Sequence, residues 1–144
     1  MTSSLTAEEN ARYQQLRALP KLPRFAPQTL RAAWWALRAM RRARKDLKTA
    51  GLQAKVAAPP RLPWGARFGV IGVLDRADPT CLERALVLQK WLEAHDVLRD
   101  VVIGVKNDEG GKVAAHAWVE GVTPYVESVQ YREIHRLAPE SAAS

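Results

Sequence analysis

The stretch PTCLERAL, residues 79–86, predicts the start of a helix and contains the single cysteine of the 144-residue chain. Thr80 and Glu83 stand three residues apart in a capping box, in which each side chain accepts a hydrogen bond from the other residue's backbone amide. Cys81 then lies in the first helical turn, where unpaired amides and the helix dipole favour an anion. The stretch therefore supplies a thiol and a reason for that thiol to ionise.

Helical patterns flank this stretch on both sides. The cysteine helix is predicted from Thr80 to about His95, with leucines and alanines on its buried side. Before it, residues 64–76 are predicted as a helix, although three glycines weaken the pattern; their spacing is equally typical of close helix packing. A longer basic helix is predicted to begin at Pro27 and to end at about Ala50.

Downstream of the cysteine helix, the period of the apolar residues changes from helical to extended. Residues 101–105 are a β-rich run, residues 107–111 have strong turn chemistry, and residues 112–120 alternate between two faces. A third strand is predicted over Tyr125–Val129. Helices followed by an antiparallel meander predict an α+β domain.

The length and the cysteine content restrict the class of protein. A chain of 144 residues predicts one compact domain with a real core. No apolar run approaches the roughly 18 residues of a membrane helix, and the first residues lack the basic and apolar parts of a signal peptide. A single cysteine cannot form an intrachain disulfide. We therefore expect a cytoplasmic protein with a reduced thiol.

The positive net charge of +7 is concentrated in the first half of the chain. Residues 1–76 hold 15 Lys and Arg but 4 Asp and Glu, whereas residues 77–144 hold 7 against 11. The basic helix also carries Trp34 and Trp35, a combination that suits a membrane surface or an acidic partner. We favour the simpler interpretation, in which the tryptophans pack on the core and the arginines face water. No base-reading motif accompanies the charges, so we expect no nucleic-acid partner.

A cysteine nucleophile needs a base within hydrogen-bonding reach. His116 is the best candidate, because it lies on the strand predicted to follow the cysteine helix, and such a strand can cross the helix N-terminus. His95 lies at the opposite end of that helix, and His135 lies near the C-terminal tail. The amide of Cys81 could donate a hydrogen bond to a developing oxyanion.

The acid that would orient the imidazole is predicted on the next strand. If the hairpin turns between residues 121 and 124, Glu127 is a diagonal neighbour of His116 on the same face. Glu120 shares that face but lies farther along the same strand, at roughly 13 Å. The simpler alternatives are a buried, inert cysteine and a histidine that is only a satisfied polar group. A metal site is disfavoured, because the sequence has no close-spaced pair of ligands of the kind that zinc sites use.

Three segments, CLERAL at 81–86, VIGV at 102–105 and AHAWVE at 115–120, resemble the lasso-peptide leader peptidases. These are the McjB C-terminal type of transglutaminase-like proteins, and the resemblance covers about residues 64–130. It implies a papain-like or transglutaminase-like core, in which the cysteine helix packs on an antiparallel sheet, and a Cys-His-Asp triad.

The resemblance also assigns roles by position. Cys81 matches the nucleophile and His116 matches the base, whereas Glu127 and Ser128 stand about where the family usually has aspartate. Glu127 could substitute with a longer reach, or a backbone group could orient the imidazole.

The implied function is removal of the leader from a ribosomally made precursor peptide, so that a cyclase can act on the core peptide. The implied organisation is a basic helical lead-in with a proline-rich linker (1–63), a cysteine peptidase core (64–136) and a disordered tail (137–144). No winged-helix-like unit is predicted before the core, so we expect a separate leader-recognition protein. No cofactor is implied. The alternatives are acyl transfer to an amine, as in transglutaminases, and a non-catalytic binding module that uses the basic helices.

Overall fold

The computed structural model describes residues 7–107, 110–122 and 130–140. These residues form four helices, three strands and two short 3₁₀ turns at Gly51–Gln53 and Trp64–Ala66. In chain order the main elements are α1 (Ala7–Arg17), α2 (Pro27–Ala50), α3 (Arg67–Arg76), α4 (Cys81–Glu93), β1 (Val101–Asn107), β2 (Val113–Val119) and β3 (Arg132–Leu137). The α+β class predicted from the sequence is confirmed.

Helix α2 is the longest element, and its bounds are those expected from the sequence. Pro27 occupies the first turn, where its missing amide costs nothing, and the chain leaves the helix at Gly51 with a φ of 60°. A stripe of buried small residues faces the core, and it consists of Ala32, Ala36, Ala39 and Ala43. Such small side chains let other helices approach the α2 backbone closely.

The two tryptophans of α2 have different environments, so the expectation that both pack on the core is wrong for one of them. Trp35 is buried and its indole donates a hydrogen bond to the carbonyl of Ala57 at 3.1 Å. Trp34 is 62% exposed. The two side chains diverge because consecutive helical residues point about 100° apart.

Helix α3 crosses α2 at Gly69. The crossing is close, as the spacing of the glycines predicts for this position. A Cβ at Gly69 would overlap the backbone carbonyl oxygen of Thr29 and would lie 2.7 Å from the amide nitrogen of Ala33. Gly72, one turn later, has no heavy atom within 4 Å of the equivalent position. The close crossing is therefore made by one of the glycines and not by the whole set.

Helix α4 packs on β1 and β2 and also touches α2, so it lies between the sheet and the long helix. Its core face includes Val87, Trp91 and Leu92, which are at most 3% exposed. The Trp91 ring lies 6.0 Å from Trp35 and 6.2 Å from Trp64. These aromatic contacts join the helical layer to the helix that begins at the cysteine.

The described sheet is antiparallel with the strand order β2-β1-β3. In β1–β2 the register places Gly104 opposite His116 and Ile103 opposite Ala117. Strand β3 pairs with β1 across an irregularity at Ile103 and Gly104. The sequence did not predict β3, whereas the strand predicted over Tyr125–Val129 lies outside the described residues.

The C-terminal boundary of the described chain is tied to the core. Leu137 ends β3, and its carbonyl accepts a hydrogen bond from the buried Gln89 side chain at 2.9 Å. Glu140 accepts a hydrogen bond from Lys90 at 3.1 Å. Within the described ranges, no helix combines the length and apolarity needed to cross a bilayer.

The helix crossing predicts opposite effects for two alanine substitutions in α3. Gly69→Ala should lower the free energy of unfolding by about 1–3 kcal/mol, because backbone atoms of α2 must move to admit the methyl group. Gly72→Ala should raise it by about 0.5–1 kcal/mol, because alanine is the better helix former and the site is open. Urea unfolding of both variants measures the difference, and equal effects would contradict the crossing geometry.

Candidate active site

Cys81 is the first residue of α4, as the capping box predicts. The Thr80 hydroxyl accepts a hydrogen bond from the Glu83 amide at 3.2 Å, and the Glu83 carboxylate accepts one from the Thr80 amide at 3.0 Å. The cap fixes the backbone on both sides of the cysteine. The cysteine is a free thiol, and it is half-buried.

Glu83 has a second partner that comes from α2. Arg44 binds its carboxylate with two hydrogen bonds, from Nε and from Nη2, each of 3.1 Å. Glu83 is only 4% exposed, and burial by itself would raise its pKa. The hydrogen bonds from Arg44 and Thr80 outweigh that burial, so the pKa of Glu83 lies below its ordinary value. The cap of the cysteine helix is thus an ionised carboxylate held by α2.

The sulfur of Cys81 touches β2. The backbone amide of Ala117 donates a hydrogen bond to the Sγ atom at 3.3 Å. Strand β1 occupies one side of β2, so the Ala117 amide points towards the opposite side, at the edge of the described sheet. The edge of β2 therefore supplies a backbone donor directly to the sulfur.

His116 lies on β2 immediately before Ala117, and its ring is part of an aromatic stack. The imidazole lies 5.9 Å from the Trp118 ring and 5.1 Å from the Tyr131 ring, at interplanar angles of 22° and 29°. Neighbouring residues of a strand point to opposite faces, so the imidazole and the Ala117 side chain lie on different sides of β2. The stack holds the plane of the ring.

Gly104 provides the space for this stack. It lies opposite His116 in the β1–β2 pair. A Cβ at this position would lie 2.8 Å from the Cβ of Tyr131 and 2.9 Å from the Trp118 ring. A glycine inside a strand often marks such a close approach. The Trp118 ring and the Cβ atom of Tyr131 therefore lie directly over the β1 backbone.

The structure thus brings Cys81 to the strand that carries His116, at the neighbouring residue. Glu127, the predicted orienting acid, lies outside the described residues, and its role stays a prediction. Glu120 forms an ion pair with Arg136, which also binds Asp100 at 3.1 Å.

The other two histidines lie elsewhere. His95 follows α4 and packs edge-on against Trp64 with ring centres 5.2 Å apart. Burial lowers the pKa of His95, and the charge of Arg12 lowers it further. His135 is exposed on β3. Among the residues that the structure describes, no group of three His, Cys, Asp or Glu side chains is arranged to hold a metal ion.

Several contributors to the site were missed from the sequence. Arg44 is one of many basic residues of α2, and nothing in the local pattern distinguishes it. The Ala117 amide has no side-chain signature at all. Gly104 was detectable in principle, because glycine is unusual in a β-rich run.

The chain matches a known protein family over most of its length. The model of a family described as the transglutaminase-like superfamily matches residues 24–137. No curated protein and no solved structure matches the chain. The matched region includes α2 to α4 and all three strands, so it contains Arg44 as well as Cys81 and His116.

The aromatic stack predicts that Gly104→Ala disturbs the histidine but not the cysteine cap. The added methyl group would displace Trp118 and Tyr131, and with them the imidazole. We expect the perturbation to appear in the His116 ring resonances by NMR, while the amide resonances of Thr80 and Glu83, which report on the cap, shift little. Gly72→Ala is the control, since it adds the same methyl group in open space. Unchanged His116 resonances would contradict the role assigned to Gly104.

The ionised cap predicts how stability depends on pH. The folded-state pKa of Glu83 lies below its ordinary value of 4.5, so its contribution is present above that pH and is lost as the pH falls through the folded-state pKa. Glu83→Gln keeps an oxygen for the Thr80 amide but removes the ion pair. We expect this variant to lose about 1–2 kcal/mol at neutral pH and to show a smaller further loss in acid.

The measurement is urea unfolding between about pH 6 and pH 3. Glu8→Gln removes an exposed carboxylate of α1 and serves as the control. If Glu83→Gln and the wild type lose stability in parallel as the pH falls, the assignment of an ionised Glu83 is wrong.

Proposed function

The chain belongs to the transglutaminase-like superfamily, and on that premise we propose that it is a cysteine peptidase that removes the leader of a ribosomally made precursor peptide during lasso-peptide maturation. The observation that carries the proposal is the hydrogen bond from the Ala117 amide to the Cys81 sulfur. It joins the N-terminus of α4, which would activate a thiol, to strand β2. In that strand His116 immediately precedes Ala117. The lasso-peptide assignment itself rests on the resemblance of the CLERAL and AHAWVE segments.

In the proposed reaction, His116 takes the proton of the Cys81 thiol, and the thiolate attacks the scissile carbonyl carbon. The oxyanion that forms accepts a hydrogen bond from the Cys81 amide, which belongs to the first turn of α4. Collapse breaks the C–N bond, and the imidazolium gives its proton to the leaving amine. Water then hydrolyses the thioester, which releases the leader as a carboxylic acid and restores the thiol.

The orientation of the imidazole has two proposed sources. The ring contacts of His116 with Trp118 and with Tyr131 restrict the ring plane. Glu127 would accept a hydrogen bond from the ring nitrogen that does not face the sulfur, and so would fix the tautomer.

The same thioester serves a second reaction of the superfamily, acyl transfer to an amine. An amine then takes the place of water in the last step, and the product carries an amine adduct. The proposal of hydrolysis includes a cytoplasmic location, a separate leader-recognition protein as partner and a cyclase that acts on the released core peptide.

The test uses the purified chain with a lasso-type precursor peptide and a leader-recognition protein, and follows products by mass spectrometry. We expect two fragments whose masses sum to that of the precursor plus one water. Cys81→Ala should abolish cleavage, and His116→Ala should slow it by about 10²–10⁴-fold. Glu127→Gln should slow cleavage more than Glu127→Asp does.

His135→Ala is the matched control, because it removes an exposed histidine of β3 and should leave the rate unchanged. Full cleavage by Cys81→Ala would overturn the peptidase proposal. An amine adduct in place of hydrolysis would assign the chain to acyl transfer.

A further inference from the structure

A groove of about 980 Å³ runs between α2 and the extended segment at residues 54–60. One wall is formed by side chains of successive turns of α2, and the other by the extended segment. We call it the basic groove, and the residues that matter most here are Leu30, Arg31, Trp34, Arg38, Arg42 and Lys55. It lies on the part of the molecule that the proposed chemistry does not use.

The apolar part of the basic groove is open to solvent. Trp34 is 62% exposed and Leu30 is 52% exposed. The two residues are four positions apart, so they are neighbours on the same face of α2. The buried Trp35 and Val56 also line the groove, which makes the exposed apolar surface continuous with the core.

The charges around this apolar surface are mostly positive. Arg31, Arg38, Arg42 and Lys55 are exposed, and within the described part of the chain none of them forms an ion pair. The acids that line the groove are Asp46 and Glu140, and Glu140 is paired with Lys90. The groove therefore combines an uncovered indole with an excess of cations, which suits an anionic ligand that also has apolar groups.

The shape of the surface separates two kinds of anionic partner. A lipid surface is bound by apolar side chains that project from a helix, whereas here the indole forms one side of a concave groove. A peptide can enter such a groove and place side chains on both walls. From Arg31 to Arg42 the helix rises by roughly 16 Å, which matches about 11 helical or 5 extended residues of a ligand.

We propose that the basic groove binds an acidic, amphipathic peptide segment of a partner protein. Carboxylates of the segment pair with the guanidinium groups of Arg38 and Arg42, and an aromatic or aliphatic side chain packs on Trp34 and Leu30. Arginine suits this task because its planar group can bind a carboxylate through two hydrogen bonds. The binding requires no reaction at Cys81 and is independent of the proposed peptidase activity.

The probe is a phage-displayed library of random 16-residue peptides. It is panned on the full-length wild type after depletion on the double variant Arg38→Glu/Arg42→Glu. The enriched peptide is synthesised with a fluorescent label and its Kd is measured by anisotropy. We expect acidic peptides with aromatic or aliphatic residues, and binding that weakens as the salt concentration rises.

The double variant should weaken binding of this peptide at least about 10-fold, since each reversal replaces an attraction by a repulsion. Trp34→Ala should also weaken it, and the unfolding temperature of each variant shows whether the fold persists. Arg41→Glu/Lys45→Glu is the matched control: it makes the same charge change on the same helix, outside the groove, and should alter the Kd less than about twofold. Cys81→Ala should bind like the wild type, which separates this proposal from the fate of the peptidase assignment.

Three outcomes would overturn the inference. One is the absence of any enriched peptide, and another is an enriched peptide whose Kd the groove variants leave unchanged. The third is co-sedimentation of the wild type with vesicles of phosphatidylcholine and phosphatidylglycerol at about 150 mM salt, if Arg38→Glu/Arg42→Glu loses this binding and Arg41→Glu/Lys45→Glu keeps it. That result would assign the groove to a membrane surface.

Discussion

The carboxylate of Glu83 ties the N-terminal cap of α4, next to the cysteine, to the long helix α2. It accepts hydrogen bonds from the Thr80 amide and from Nε and Nη2 of the Arg44 guanidinium group. A carboxylate so deeply buried would be costly without such partners. Because one partner belongs to the cap and the other to α2, the position of the first turn of α4 is fixed relative to the long helix. The placement of Cys81 against β2 depends on this arrangement.

The helical part of the fold was predictable because its signals are local. Pro27 and Gly51 mark the ends of α2, and Thr80 with Glu83 marks the start of α4. Strand β3 was missed because its residues are mostly charged or polar, and its partner β1 lies about 30 positions earlier in the chain. Periodicity cannot report a pairing between distant segments. The same limit applies to Trp34, whose exposure is decided by what packs on α2.

The candidate site shows the same division. Cys81 and His116 were predicted as site residues from residue type and from the expected meeting of a helix N-terminus with a strand. The contact that joins α4 to β2 at this point is made by the backbone amide of Ala117, and a backbone amide cannot be recognised from residue type. Tyr131 and Gly104 act through a stack that requires the register of two strand pairs. Arg44 acts through tertiary packing between helices. Residue chemistry could be inferred from the sequence, whereas the groups that position it could not.

The pairing of β3 with β1 has a consequence for biosynthesis. A chain emerges from the ribosome N-terminus first, and contacts between distant segments form late. Helix α4 and the β1–β2 hairpin can form while β3 is still missing. Tyr131, which completes the stack on His116, and Leu137, which satisfies the buried amide of Gln89, both follow β2 in the chain. A nascent chain therefore carries its thiol well before it carries a finished site, and the order of synthesis itself delays the appearance of that site.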